Sequence, residues 1–204
     1  MNKIFALFLL FATLTTAQAK ECKGQIIFED DSIENVTFRI WSFLGGLEIE
    51  SVQYRAIYLD TNGNVKTLEA TDAKEIRFTV DDEVYRMVSR KNDYIRDNGR
   101  LSYSRIFMRC FVEGKLSLYV LYYNSGERVS AESLLLREGD NQKFWTPKLH
   151  HIKKSLKSFF SDCPALVNKI ANKELRWTDR PYQPNKNIAR AKKIVEFYNA
   201  NYGD

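Results

Sequence analysis

The sequence predicts an α+β fold, in which an antiparallel β-rich part is followed by three helices that pack on it. Between Gly24 and Arg137, short runs alternate apolar with polar residues and are separated by turn-forming residues, which is typical of strands. After Gly139 the apolar spacing changes to that of helices. We count eight or nine strands and expect them to form a sandwich or a partly open barrel.

The chain begins with a segment typical of a secretory signal peptide. Lys3 precedes an apolar run, Ile4–Leu14, and small residues then close on Ala17-Gln18-Ala19, which has the pattern of a cleavage site. The apolar run is too short to cross a bilayer, which needs about twenty residues. We therefore predict cleavage near Ala19 and export to the periplasm, the outer-membrane surface or the cell exterior.

The mature chain, residues 20–204, is predicted to form one domain with two parts of opposite charge. The β-rich part, residues 20–142, holds seventeen basic and twenty-one acidic residues, a net charge of −4. Within the helical part, 143–204, the stretch 143–193 holds thirteen basic and three acidic residues, a net charge of +10. No segment of the mature chain is apolar over the length of a transmembrane helix, so we predict none.

Two hairpins are marked by their turns. Asn62-Gly63 joins two β-like runs, and this pair favours a tight turn with positive φ angles. Asp60, Asn62 and Asn64 also resemble the first ligands of a calcium loop. The glycine is misplaced for such a loop, however, and its last position is not glutamate. We therefore predict a hairpin here, and a second turn at the acidic run 81–83.

The most apolar stretch of the mature chain is Leu116–Tyr123, in which Ser117 is the only polar residue besides tyrosines. A strand covered on one side alternates polar with apolar residues, whereas this run is apolar on both faces. We predict a central strand covered on one side by the β-core and on the other by the C-terminal helices.

Three helices are predicted after Gly139. The first has Pro147 in its first turn, and the second follows Asp162 as N-cap with Pro164 in its first turn. The third spans about 187–200, where apolar residues recur on one side.

Three cysteines in an exported chain allow one disulfide. Cys110 lies on the apolar face of a strand, together with Ile106, Met108 and Val112, and is expected to be part of the core. Cys22 and Cys163 lie at element boundaries. We predict a disulfide between these two, with three free thiols as the alternative.

No motif of catalysis or cofactor binding is recognisable. His150 and His151 are the only histidines, and neighbours on a helix point about 100° apart, which prevents joint chelation of one ion. The spacings of a nucleotide-binding loop and of a serine-hydrolase elbow are absent. We predict no cofactor, no metal and no catalytic residue.

The sequence favours a non-catalytic protein with a binding or scaffolding role at the cell envelope. Its basic helices present lysines at helical spacing, which attract an anionic envelope component or an acidic protein rather than nucleic acid. Two alternatives stay open: a small β-cavity that binds a lipophilic ligand, suggested by the many aromatic residues, and a hydrolase built on carboxylates. The predicted anionic-partner surface comprises Lys148, Lys153, Lys154, Lys157, Lys169, Lys186, Arg190, Lys192 and Lys193.

Three segments, FMRCFVEGKLSLYVLYY, SDCPAL and IVEFYN, occur in this order along the chain. With the leader, their arrangement resembles a family of signal-peptide-bearing exported bacterial proteins of Bacteroidota-type genomes that carries no assigned activity. The resemblance implies export and a β-then-α layout, and it transfers no functional residue.

Overall fold

The computed structural model describes residues 18–43, 46–92, 103–124, 129–139, 143–147, 151–177 and 184–202. The predicted leader, residues 1–19, lies outside this part except for its last two residues, which begin the first strand. The fold is α+β and mostly β, as predicted, with an antiparallel sheet and separate helices. None of the helices in these ranges is long and apolar enough to cross a membrane.

Ten strands are described, and each pairs antiparallel with its neighbours. They are β1 (Gln18–Ile27), β2 (Ile33–Phe43), β3 (Gly46–Leu47), β4 (Arg55–Leu59), β5 (Val65–Glu69), β6 (Glu75–Val80), β7 (Glu83–Lys91), β8 (Arg105–Val112), β9 (Leu116–Asn124) and β10 (Val129–Arg137). The sheet order is β10-β9-β8-β7-β6-β1-β2-β4-β5, and the short β3 pairs only with β2. Within the described pairings, β5 and β10 are therefore the ends of a single path.

The described residues include four helices beside the sheet: α1 (Ile49–Tyr54), α2 (Ile152–Phe159), α3 (Pro164–Ala171) and α4 (Pro184–Asn201). The sequence did not predict α1, because six residues are too few to show a helical period. Helix α2 begins after His151 rather than at Pro147. Pro164 is in the first turn of α3 as predicted, but the N-cap is Cys163. Asp162 does not cap the helix because its carboxylate pairs with Arg137.

Buried side chains form three clusters. The N-terminal cluster joins β1, β2 and β4–β7 to α1 and includes Cys22, Ile26, Phe38, Ile49, Val52, Ile76, Phe78 and Met87. The helix cluster joins β9 and β10 to α2–α4 and includes Leu116, Leu118, Leu135, Leu156, Phe160, Cys163, Leu166, Ile170, Ile194 and Tyr198. The second-face cluster comprises Val88, Ile106, Met108, Tyr119, Leu121 and Leu134.

The prediction of a central strand at Leu116–Tyr123 is confirmed. Strand β9 lies between β8 and β10. Leu118 belongs to the helix cluster and the adjacent Tyr119 to the second-face cluster. Successive residues of a strand point to opposite faces, so β9 is covered on both.

Strand β8 departs from a regular pattern near its end. Ile106, Met108 and Cys110 pack in or against the second-face cluster as predicted, but Val112 packs against the helix cluster. The register of β8 against β9 shifts between Cys110 and Val112. Such a bulge inserts one extra residue into a strand, and it turns Val112 to the opposite face.

The structure departs from the predicted disulfide between Cys22 and Cys163. All three cysteines are free thiols. Cys22 lies on β1 within the N-terminal cluster, whereas Cys163 lies in the helix cluster. The two thiols are held in different cores, which keeps them apart. Burial, as the largest effect, raises the pKa of Cys110 to about 11, so this thiol is protonated at neutral pH.

Two side-chain amides complete the backbone hydrogen bonding of β9. The Gln53 amide donates to the carbonyl of Tyr122 and accepts from its N–H, both at 2.7 Å. The Asn199 amide makes the same pair of bonds with Leu116, both at 2.9 Å. Gly114 leaves room for this contact, because a Cβ there would lie 2.6 Å from the Asn199 amide nitrogen.

These amides continue the ladder between β8 and β9. Alternate residues of an antiparallel strand direct their backbone groups to the same neighbour. The Lys115 carbonyl accepts from the N–H of Glu138 on the β10 side. The backbone groups of Leu116 and, by alternation, of Tyr122 therefore face β8, beyond the ends of its pairing with residues 118–120. Gln53 and Asn199 thus occupy positions where a longer β8 would bond, and they join α1 and α4 to the central strand.

The predicted hairpin at Asn62-Gly63 is confirmed as the β4–β5 turn, although only Gly63 of the pair has a positive φ, 79°. The Asp60 carboxylate accepts hydrogen bonds from the N–H groups of Asn62 and Asn64, both at 2.9 Å. Lys66 lies 3.1 Å from it. The hydrogen bond from the backbone of Asn64 is the main cause that lowers the pKa of Asp60 to about 2. The carboxylate therefore stabilises the turn.

We expect Gln53→Ala and Asn199→Ala each to lower the free energy of unfolding by about 2–4 kcal/mol, because each leaves a donor and an acceptor of β9 unpaired. Gln53 is fully buried, so the effect is expected to be larger there. Urea denaturation of the mature chain measures both. The exposed Asn168→Ala is the matched control, for which we expect a change below about 0.5 kcal/mol. Equal effects of all three substitutions would contradict this role of the two amides.

The β6–β7 turn is made by Asp81 and Asp82, which have φ angles of 48° and 64°. We expect Asp82→Gly to raise stability by about 0.5–1 kcal/mol, because glycine adopts positive φ without steric cost and Asp-Gly favours this turn. Thermal unfolding measures the gain. Thr61→Gly in the β4–β5 turn, where φ is not positive, is the control and is expected to lose stability. A loss of stability in both variants would show that the positive φ of Asp82 has no steric cost that glycine relieves.

Candidate functional site

The structure disperses the predicted anionic-partner surface over two helices and the end of α3. Lys148 lies outside the described residues. The exposed members are Lys153, Lys154 and Lys157 on α2 and Lys186, Arg190, Lys192 and Lys193 on α4. Two members are paired with acids: the Lys169 ammonium lies 2.7 Å from Glu174, and that of Lys192 lies 3.7 Å from Glu196. Lys153 of this set lines a cavity beside α2.

That cavity is a groove of about 250 Å³ beside α2 and the end of α3. Its described lining consists of five apolar and three cationic residues, with no acid among them: Ile152, Lys153, Leu156, Ile170, Lys173, Leu175, Arg176 and Trp177. Leu156 and Ile170 are buried, whereas Lys153, Lys173 and Arg176 are exposed. We call this feature the cationic groove. Its floor is apolar and its rim carries three positive charges.

The turn that ends α3 places two of these cations. Lys173 has a φ of 66°, the left-handed conformation that commonly terminates a helix. Its N–H donates to the Ile170 carbonyl at 3.3 Å. The Arg176 side chain then donates to the Lys173 carbonyl at 3.0 Å. The chain is thereby folded back, and Leu175 and Trp177 reach the same groove as α2.

The sequence analysis missed Lys173, Arg176 and Trp177 as site residues. These positions lie after α3 and follow no helical or strand period, so the spacing that identified the lysine stripes did not include them. The one available signal was the +10 charge of the stretch that contains them. Charge alone did not show which cations meet an apolar floor.

A clamp centred on Arg137 joins the end of α2, which lines the groove, to β10 and α4. Its guanidinium donates to both carboxylate oxygens of Asp162, to the Phe159 carbonyl at the end of α2, and to the Tyr198 hydroxyl of α4 at 2.6 Å. The Tyr198 hydroxyl in turn donates to Asp162 at 2.7 Å. Strand β10, the α2–α3 turn and α4 are therefore joined through one ion pair.

A second and larger cavity, about 630 Å³, opens over the second face of the sheet. Its lining residues are Arg90, Glu113, Gly114, Lys115, Ser117, Tyr119, Leu136, Arg137, Glu138 and Gly139. Two of these described residues are acids: Glu113 accepts from Arg86 at 2.6 Å, and Glu138 is exposed. Within the described ranges, no group of three histidine, cysteine or acidic side chains is placed to hold a metal ion.

The cationic groove offers a ligand two kinds of attraction, one from its cations and one from its apolar floor. Each cation on its rim can attract a negatively charged group with about 1–4 kcal/mol at 4 Å, depending on how far water is excluded. The apolar floor favours a hydrocarbon portion by about 25 cal/mol for each Å² buried. The two effects act on different parts of one ligand.

Comparisons with known proteins give no match to a protein-family model, to a curated protein or to a solved structure. The resemblance to an exported bacterial family stays a prediction. The function of the groove is therefore argued from its own residues.

Asp162 makes the clamp dependent on pH. The hydrogen bond from Arg137 is the main cause that lowers the pKa of Asp162 below its ordinary value. The stability that the ionised Asp162 carboxylate contributes is therefore fully present above the pKa of an aspartate in the unfolded chain, about 3.9. It is lost as the pH falls through the pKa of Asp162 in the folded protein. We expect Asp162→Asn to lower stability at pH 7 by about 1–2 kcal/mol. We also expect this variant to lose less stability than the wild type between pH 7 and pH 3.

Urea midpoints at both pH values measure this difference. The control is Glu48→Gln, an exposed acid before α1 with no side-chain hydrogen bond to the helix. It should leave the acid-induced loss as in the wild type. If Asp162→Asn shows the full acid-induced loss as well, the clamp is not the group that titrates.

Proposed function

We propose that the mature chain is a non-catalytic binding protein of the cell envelope whose ligand is an anionic amphiphile. The acidic head of the ligand would lie between Lys153, Lys173 and Arg176. Its apolar part would pack against Trp177 and the aliphatic floor of the cationic groove. The exported location and the periplasmic or outer-surface compartment belong to this proposal and rest on the predicted leader.

The observation that carries the proposal is the composition of the groove lining. Small-ligand sites are mostly apolar with a few placed polar groups that fix orientation. Here three cations and five apolar side chains meet, and none of the lining residues that the structure describes is acidic. A neutral lipid would leave the cations unused, and a small inorganic anion would leave the floor exposed. An amphiphile with a negative head would pair with the cations and also cover the apolar floor.

This proposal unites two functions that the sequence kept separate, the anionic partner and the lipophilic ligand. The apolar floor of the cationic groove lies beside α2 and the end of α3. The alternative from the sequence analysis, a β-cavity for a lipophilic ligand, would instead lie within the sheet. The lysines outside the groove, such as Lys157 and Lys193, would raise the local concentration of anionic ligands over a distance of about 8 Å at physiological salt. They would not contact the bound molecule.

The test is calorimetric titration of the mature chain with decanoate, acetate and decanol. We expect decanoate to bind, and acetate and decanol to bind at least about tenfold more weakly, because each lacks one half of the interaction. Replacing Lys153, Lys173 and Arg176 together by glutamine is expected to weaken decanoate binding about tenfold or more. Added salt should weaken it as well.

The matched control replaces Lys157, Lys186 and Lys193 by glutamine, which removes the same charge from exposed positions outside the groove. We expect this variant to keep most of the affinity. If both triple variants lose affinity equally, a diffuse basic surface and not the groove binds the ligand. If decanoate does not bind the wild type, the proposed ligand class is wrong.

A further inference from the structure

Arg90 differs from the other arginines on the described strands in its lack of a carboxylate partner among the described residues. Seven other arginines project from the described strands, and each lies no more than 3.9 Å from a carboxylate oxygen: Arg39, Arg55, Arg77, Arg86, Arg105, Arg109 and Arg137. In the described part of the chain, Arg90 has no such partner. Its protein contacts are with Tyr119, whose hydroxyl accepts from the guanidinium and whose ring centroid lies 4.9 Å from it.

Arg90 is also half-buried, and its Nε is buried with no hydrogen-bond partner. Buried charges in folded proteins are paired or hydrogen-bonded, because removing an ion from water is costly. Arg86, four residues earlier on β7, is paired in this way. It bridges the buried Glu75 at 2.8 Å and Glu113 at 2.6 Å. Arg90 therefore bears a desolvation cost that no acid in the described part of the chain offsets.

Arg90 lines the 630 Å³ cavity over the second face. Of the other charged groups lining that cavity, Glu113 is paired with Arg86 and Arg137 with Asp162. Lys115 and Glu138 are exposed at its edge. Among these lining charges, Arg90 is thus the half-buried one without an opposite charge in the ranges that the structure describes.

We propose that this cavity is a second binding site, distinct from the cationic groove, for a small organic acid or phosphate whose anionic group pairs with Arg90. Tyr119 orients the guanidinium from one side through its hydroxyl and ring. An arginine in this position can hold a carboxylate or a phosphate through two parallel N–H bonds. The ligand would then supply the charge that the seven other arginines receive from the protein.

The first test needs no ligand. In sodium chloride, we expect Arg90→Gln to melt at the same temperature as the mature wild type or above it, because the variant removes an uncompensated charge and keeps a donor for Tyr119. Arg86→Gln is the matched control on the same strand. It leaves the buried Glu75 with one partner fewer, and its melting temperature is expected to fall by several degrees. An equal fall for Arg90→Gln would overturn the proposal, because it would make Arg90 an ordinary structural cation.

The second test is calorimetric titration with inorganic phosphate and with citrate at constant ionic strength. We expect at least one of them to bind the wild type, and Arg90→Gln to weaken that binding at least about tenfold. The anion that binds more tightly distinguishes phosphate from carboxylate ligands. The triple glutamine variant of the cationic groove should bind it as the wild type does. Equal affinity of wild type and Arg90→Gln, or no binding of either anion up to about 10 mM, would overturn the proposal.

Discussion

The backbone of β9 must find hydrogen-bond partners along its whole β8 side, and the rest of the structure is arranged around this requirement. Strand β8 pairs with β9 only over the middle of that edge, and a buried unpaired N–H or carbonyl costs about 1–3 kcal/mol. Gln53 and Asn199 supply the missing partners at the two ends. The positions of α1 and α4 therefore follow from the central strand.

The same arrangement brings the helical part onto the sheet. Once Asn199 fixes α4 against the start of β9, Tyr198 reaches the Arg137–Asp162 ion pair, and that pair also binds the end of α2. Arg137 of β10 thus fixes the turn between α2 and α3. The turn at Lys173 then folds the residues that follow it back toward α2. The cationic groove is a consequence of this chain of contacts, which extends from backbone pairing to a surface with one apolar and one charged half.

The two proposed sites differ in how their charges are held. In the cationic groove the cations are exposed on a rim, so water screens them and a ligand gains chiefly from combining them with the apolar floor. In the cavity over the second face, a single half-buried guanidinium is held by Tyr119 and lacks an acid in the described part of the chain. A ligand there would gain from one strong, poorly screened contact. The two cavities therefore favour an amphiphile and a compact anion, respectively.

The sequence by itself determined the α+β class, the central position of Leu116–Tyr123 and the β4–β5 hairpin, because periodicity and turn chemistry are local properties. It could not place α1, the bulge that turns Val112, or the pairing of Asp162 with Arg137 in place of a helix cap. It also favoured a disulfide between Cys22 and Cys163, which lie in different cores. Each of these depends on contacts between residues far apart in the chain. The same holds for the groove and for Arg90, which has no acidic partner in the described part of the chain. Which charges find partners is decided only when the strands and helices pack.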